Sequence, residues 1–354
     1  MRVPAKQFPF RDGSCFSLAE RAWANIPNMR KHDPLQEALE KLGELRLAKE
    51  GREFETKLGA FLRHRSNLVV SKAAKIARER LVPSVVPDMV AAFHKLMKDP
   101  ARLDKRCAAL TEIVSALYEM DYTEPEVYLA GLRHVQLEGS YGPPIDTAAQ
   151  LRGICAQGLT RTPYPGALEE VVDLLQDCDV PPRIGAVRAL AANGGTGGGL
   201  ALRLKALTGD REPEVIAECF AGLLGSHTES SVDFVARYVG AENAELAEAA
   251  VLALGACRNP KAVVVLKEKW KVTPRGSLKS TLLLALASSR SEEVLAFLRQ
   301  ELEEVSLAVA KEILSALAAQ RPSASIRQTI EAAVRQRGEP VLEEQCKLLF
   351  AALG

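Results

Sequence analysis

Aromatic side chains are scarce in this sequence, 5% of 354 residues, and there are only two tryptophans, Trp23 and Trp270. Its core must therefore come from aliphatic and small side chains, and Ala and Leu recur throughout, a profile that favours closely packed helices. No apolar run approaches the roughly 18 residues that a membrane-spanning helix needs. The N-terminus, MRVPAKQFPFRDGSCF, lacks the apolar stretch of a signal peptide. These absences predict a cytoplasmic chain with no membrane partner. The seven cysteines form no C-x-x-C pair and are odd in number, which predicts free thiols in a reducing compartment. No G-x-S-x-G elbow, phosphate-binding G-K-[ST] loop or zinc-ligand spacing is found, so no catalytic, cofactor or metal residues are assigned.

What is present is a repeat. Apolar-periodic stretches ending in A-L-G or a near relative recur at 183–195, 215–226, 246–257, 278–289 and 309–320, about 31 to 33 residues apart. Two further copies lie at 103–120 and 148–161. Each is followed by a break and a second, shorter helical segment, as at 262–271, 293–302 and 326–334, where Ile326, Ile330 and Val334 share one helix face. Pro213, Pro260, Pro322 and Pro340 mark helix starts or loops, because proline is tolerated only in the first helical turn. One helix pair cannot bury its apolar stripe alone, so stacked copies are required. The expected fold is all-α, an α-solenoid of about eight stacked antiparallel helix pairs over residues 33–354 with a lone terminal helix after Pro340.

RIGAVRALAANGG (183–195) and AAVLALGACRNPKAVVVLKEKW (249–270) resemble the HEAT-like repeat family in its short bacterial form. That resemblance implies a HEAT-like superhelix and says little about activity. Some families with similar repeats are enzymes. Deoxyhypusine hydroxylases hold two irons with His-Glu pairs, but none of His32, His64, His94, His134 and His227 is followed by Glu. Phycobilin lyase subunits would need a bilin pocket that no motif here identifies. Alkylpurine DNA glycosylases use a basic groove with aromatics, which two tryptophans supply poorly. The chain is therefore read as non-enzymatic.

Three segments break the pattern. Residues 1–32 mix prolines with aromatics and read as a loosely ordered arm; Met29 stands as an alternative start, and Asp33-Pro34 as a helix start. Residues 137–145, LEGSYGPPI, read as a loop with Tyr141 at its tip. The glycine run 194–199 reads as a turn between paired helices, since no strand precedes it and no G-K-[ST] follows.

The net charge of +1 hides blocks. Residues 1–100 carry 19 Lys and Arg against 12 Asp and Glu, residues 101–250 carry 12 against 22, and residues 251–300 carry 9 against 3. A basic patch is expected at Arg63, Arg65, Lys72, Lys75 and Arg78. If the second helix of each pair lines the concave side, His94, Lys95, Arg133, His134, Arg203, Arg237, Lys267 and Lys271 are partner-binding candidates, with Tyr141 on the loop. The expected function is a scaffold binding proteins or peptides along that face; the alternatives are a nucleic-acid-binding solenoid using its basic ends and a repeat-family enzyme of the lyase-like or DNA-glycosylase-like type.

Overall fold

The computed structural model describes residues 33–225, 229–289 and 291–351; the expected arm, residues 1–32, lies outside them. The structure is 77% helical, with 20 helices among the described residues. Helix α1 (Pro34–Leu47) is followed by α2 (Arg52–Leu62), α3 (Asn67–Arg80), α4 (Val86–Leu96) and the single turn α5 (Pro100–Leu103). Next come α6 (Ala108–Glu119), α7 (Pro125–Leu132), α8 (Ala149–Leu159), α9 (Ala167–Asp173), α10 (Val180–Asn193) and α11 (Thr196–Thr208). Then follow α12 (Pro213–Gly225), α13 (Glu229–Ala236), α14 (Ala244–Ala256), α15 (Pro260–Val272) and α16 (Ser277–Ser288). The last four are α17 (Glu292–Glu304), α18 (Leu307–Ala319), α19 (Ala324–Arg337) and α20 (Pro340–Ala351). None is long and apolar enough to cross a membrane.

Local signals explain the helix starts. The Asp33 carboxylate accepts from the Leu35 N–H at 3.0 Å while Pro34 occupies the first helical position. Asn243, Asn259, Ser291 and Ser323 cap α14, α15, α17 and α19 in the same way. Pro213, Pro260 and Pro340 each begin a helix, and Pro322 lies in the loop before α19.

Contacts divide the chain into residues 1–49 and 50–354. Gly51, at φ 153°, supplies a break that an L residue rarely adopts. Within the first unit, the described part is α1, which buries Ala38, Leu42 and Leu45 along one face.

In the second unit the helices form two rows. One row runs α3, α6, α8, α10, α12, α14, α16, α18, α20, each packed on the next. From α7 to α17, every helix of the other row packs on the first-row helix before it and the one after it. Small residues let the first row close up. A Cβ added to Gly153 of α8 would lie 2.6 Å from the Pro181 carbonyl of α10, and Gly185 of α10 sits directly against Gly153. Gly222 of α12 meets Ala191 of α10, and Gly255 of α14 meets Ala285 of α16, where a Cβ would come within 2.8 Å and 2.7 Å. In the second row α13 packs on α15 and α17 on α19, and Trp270 of α15 donates Nε1–H to Glu301 of α17 at 2.7 Å.

Two segments differ from expectation. Residues 137–145 are not simply a loop: Leu137–Glu138 (β1) and Ile145–Asp146 (β2) pair antiparallel, Leu137 opposite Asp146 and Glu138 opposite Ile145. Only Gly194 and Gly195 of the glycine run form the turn, Gly194 ending α10 at φ 65°. Thr196 to Gly199 are the first turn of α11, because Gly198 lies so close to the Leu190 carbonyl that only a residue without Cβ fits.

Candidate functional site

Two of the five residues of the expected basic patch are paired with carboxylates of neighbouring helices. Arg63 pairs with Asp88 of α4, and Arg78 reaches Glu119 at 3.0 Å and Glu112 at 3.4 Å, both on α6. Arg65, Lys72 and Lys75 remain exposed. The second basic run is treated likewise: Lys261 pairs with Asp233 at 2.7 Å and Arg275 with Glu312 at 3.1 Å. Lys279 donates to the Trp270 carbonyl and lies 3.8 Å over its ring; burial lowers its pKa.

The partner-binding candidates do not converge. His94 and Lys95 are exposed at the end of α4. Arg133 chelates Glu170 of α9, and His134 Nε2 lies 3.1 Å from Gln136 Oε1. Tyr141 is fully exposed between the two strands. Arg203 lies 4.5 Å over the Phe234 ring and donates to the Ser230 carbonyl, while Arg237 is 5.9 Å from the same ring. Lys267 bonds Glu293 at 2.5 Å, and Lys271 is exposed at the end of α15. Apart from Tyr141 on its hairpin, these residues belong to helices of the second row or the turns that end them, spread from α4 to α15.

The buried charges are joined to one another. Arg152 of α8 holds Asp177 through two hydrogen bonds, reaches back to Asp146, and approaches Asp179 at 3.4 Å. Arg183 of α10 repeats this, binding both oxygens of Asp210 at 2.9 Å and the carbonyls of Asp177 and Cys178. Lys205 of α11 adds a contact to Asp210 at 2.8 Å. Burial pushes the Asp210 carboxyl up, but the Lys205 ammonium, the Glu212 N–H and Arg183 outweigh it and hold it below its ordinary range. A cleft of about 600 Å³ opens beside these groups, with Cys178 exposed on its rim.

Under the hairpin, the Asp104 carboxylate accepts from the Ala109 and Leu110 N–H groups and from Asn67, fixing the start of α6. Glu138 accepts from the Arg106 N–H, Gln136 and Thr147. Desolvation opposes ionisation of Glu138, and these donors still bring its pKa down. The carboxylates of this region are bound to protein donors. Burial pushes the Cys107 and Cys219 thiols up to about 12, away from nucleophilic use at neutral pH. Among the described residues, no group of three or more His, Cys, Asp and Glu is placed to hold a metal ion.

A different feature stands on the closely packed first row. Glu214, Ala217, Glu218 and Ala221 share one face of α12, and Glu245, Glu248, Ala249 and Leu252 share the matching face of α14. With Pro213 and Ala253 they line an open groove of about 490 Å³, apolar along its floor and carboxylate along its walls. Arg188 of α10 caps it at one side by bonding Glu218, Nε to Oε2 at 3.1 Å. The sequence signal was available: both helices carry Glu at i and a small or apolar residue at i+7, with the second set 31 residues after the first. Reading charge by linear block concealed it.

No protein-family model matches this chain, and no curated protein matches it. Among solved structures, it is similar to human deoxyhypusine hydroxylase in complex with glycerol at 19% identity, covering 73% of this chain and 91% of that one, with a TM-score of 0.30. It is also similar to an engineered protein at 15% identity, covering 88% and 93%, with a TM-score of 0.35. Likenesses at this level carry no functional information.

Proposed function

We propose that the second unit is a HEAT-like solenoid of eight helix pairs, α3–α4 with α6–α7 through α18–α19, closed by α20, and that it is a non-enzymatic scaffold for protein segments. In a curved stack of paired helices, the row that packs more closely lies inside. The small-residue contacts between α8 and α10, α10 and α12, and α14 and α16 support placing the first row on the concave side. This reverses the assumption behind His94, Arg203, Arg237 and Lys267, whose row would face outward.

The observation that carries the reading is the α12–α14 groove. Its Ala floor lets another backbone approach closely, Leu252 offers an exposed apolar contact, and Glu214, Glu245 and Glu248 favour a Lys- or Arg-bearing segment, Glu218 being held by Arg188. Pairing of Arg63, Arg78, Lys261 and Arg275 with neighbouring carboxylates favours a protein partner over nucleic acid, because paired cations release few counterions on binding phosphates.

The test is a photo-crosslinking residue placed at Ala221 in the full chain expressed in its source cells. A defined protein adduct, lost when Glu245 and Glu248 are changed to Lys, is expected. Absence of any protein adduct at this position, or an adduct indifferent to the charge change, would remove the groove as a binding surface.

A further inference from the structure

We propose that α11 is a separate docking helix, and that its occupant is a basic amphipathic helix of another protein. A surface helix ordinarily turns charged side chains to water. Helix α11 does the reverse: Leu200, Leu204 and Leu207, at i, i+4 and i+7, are 62%, 62% and 63% exposed, while Lys205 is buried against Asp210. Its other exposed positions are Thr and Gly, and Arg203 is half-buried against Phe234. Folding has placed the one lysine inside and the three leucines outside.

The flanks determine what can cover this stripe. Helix α9 lies on one side, the Leu168 side chain being 3.9 Å from where a Cβ on Gly197 would stand. It exposes Glu169 and Asp173 with Val172 between them. Helix α13 lies on the other side, joined through Arg203 and Phe234, and exposes Glu229 and Asp233, the latter shared with Lys261. Arg237 is the exposed cation on that side. Lys261 and Arg237 offset Glu229 and Asp233, so the acidic edge is that of α9, and the stripe is complementary to a helix with an apolar face and Lys or Arg on the flank that meets α9. A second copy paired antiparallel is disfavoured, because it would bring the two acidic α9 edges together.

The leucines hold nothing in the fold, so they can be changed without unfolding the chain, and no residue of the α12–α14 groove is involved. The probe is a labelled synthetic helix of about 18 residues, five turns, with leucines along one face and lysines on one flank. Its twin carries glutamates in place of the lysines. Fluorescence anisotropy with the full chain should show the lysine helix binding, and binding should weaken as salt is raised. The glutamate twin should bind at least about tenfold more weakly, equivalent to 1.4 kcal/mol. Leu204→Ser should weaken the lysine helix by about as much, with an unchanged circular dichroism spectrum. Combining Glu169→Lys with Asp173→Lys should exchange the preference between the twins. The proposal is overturned if the lysine helix does not bind, if both twins bind equally, or if Leu204→Ser has no effect. It is equally overturned if light scattering finds a dimer of this chain that Leu204→Ser dissolves, which would assign the stripe to a second copy.

Discussion

The Arg152 guanidinium holds the Asp177 carboxylate in two hydrogen bonds, Nε to Oδ2 at 2.9 Å and Nη2 to Oδ1 at 3.0 Å, tying α8 to the segment that leads into α10. Both side chains are nearly buried, Arg152 with 4% and Asp177 with 13% of its surface exposed. Replacing Arg152 with Met would leave Asp146, Asp177 and Asp179 facing one another without their cation. Urea unfolding should show a loss of about 3–5 kcal/mol, the usual cost of orphaning a buried ion pair. Arg161→Met, which breaks the exposed pair with Asp121, should cost less than about 1 kcal/mol. Equal losses at the two sites would mean that the buried pair contributes no more than a surface one.

Gly185 lies against the backbone of Gly153, and this contact sets the spacing of α8 and α10. Gly185→Val should force the helices apart and destabilise by about 1–3 kcal/mol or more, although valine gains ordinary burial. Gly199→Ala, in the first turn of α11 with open space around it, should be neutral or slightly stabilising. Thermal melts of the two variants measured side by side check this.

The acid limb of the stability curve should carry the signature of Asp210. Its folded-state pKa lies below the ordinary 3.8, so the unfolded chain takes up its proton first as pH falls. The stability it contributes is therefore complete above the ordinary carboxylate value and is lost as pH drops through the lower folded value. Melting temperatures of the wild type and Asp210→Asn should differ most near neutral pH and converge below about pH 4. A gap that stays constant down to pH 3 would exclude the ion pairs as its origin.

Arg78 should behave differently from Lys72 and Lys75 on the same helix. Arg78→Glu would set a carboxylate beside Glu112 and Glu119, losing two part-exposed ion pairs and adding like-charge repulsion. A loss of about 1–2 kcal/mol is expected. Lys72→Glu with Lys75→Glu should change stability by less than about 0.5 kcal/mol, because both are exposed and Glu is nearly as good a helix former. Chemical denaturation separates the two cases.

The sequence by itself determined the helices, because the signals for them are local. An apolar residue every third or fourth position, Asp33 before Pro34, and Pro213, Pro260 and Pro340 at helix starts each act within a turn or two of chain. The roughly 31-residue recurrence likewise exposed the succession of similar units. What the charges do was decided only by the tertiary structure. Arg78 meets Glu112 and Glu119 across 34 and 41 residues, Arg183 meets Asp210 across 27, and Lys267 meets Glu293 across 26. Those encounters depend on how one helix is rotated and spaced against the next, which the glycine and alanine contacts set. Charge summed along the chain therefore does not separate the cations that the fold pairs, such as Arg78, from those it leaves exposed, such as Lys72 and Lys75, and does not show the Glu-walled groove, whose two sides lie on different helices. The exposure of the α11 leucines was also decided by packing, with Lys205 buried against Asp210 on the inner side of the helix.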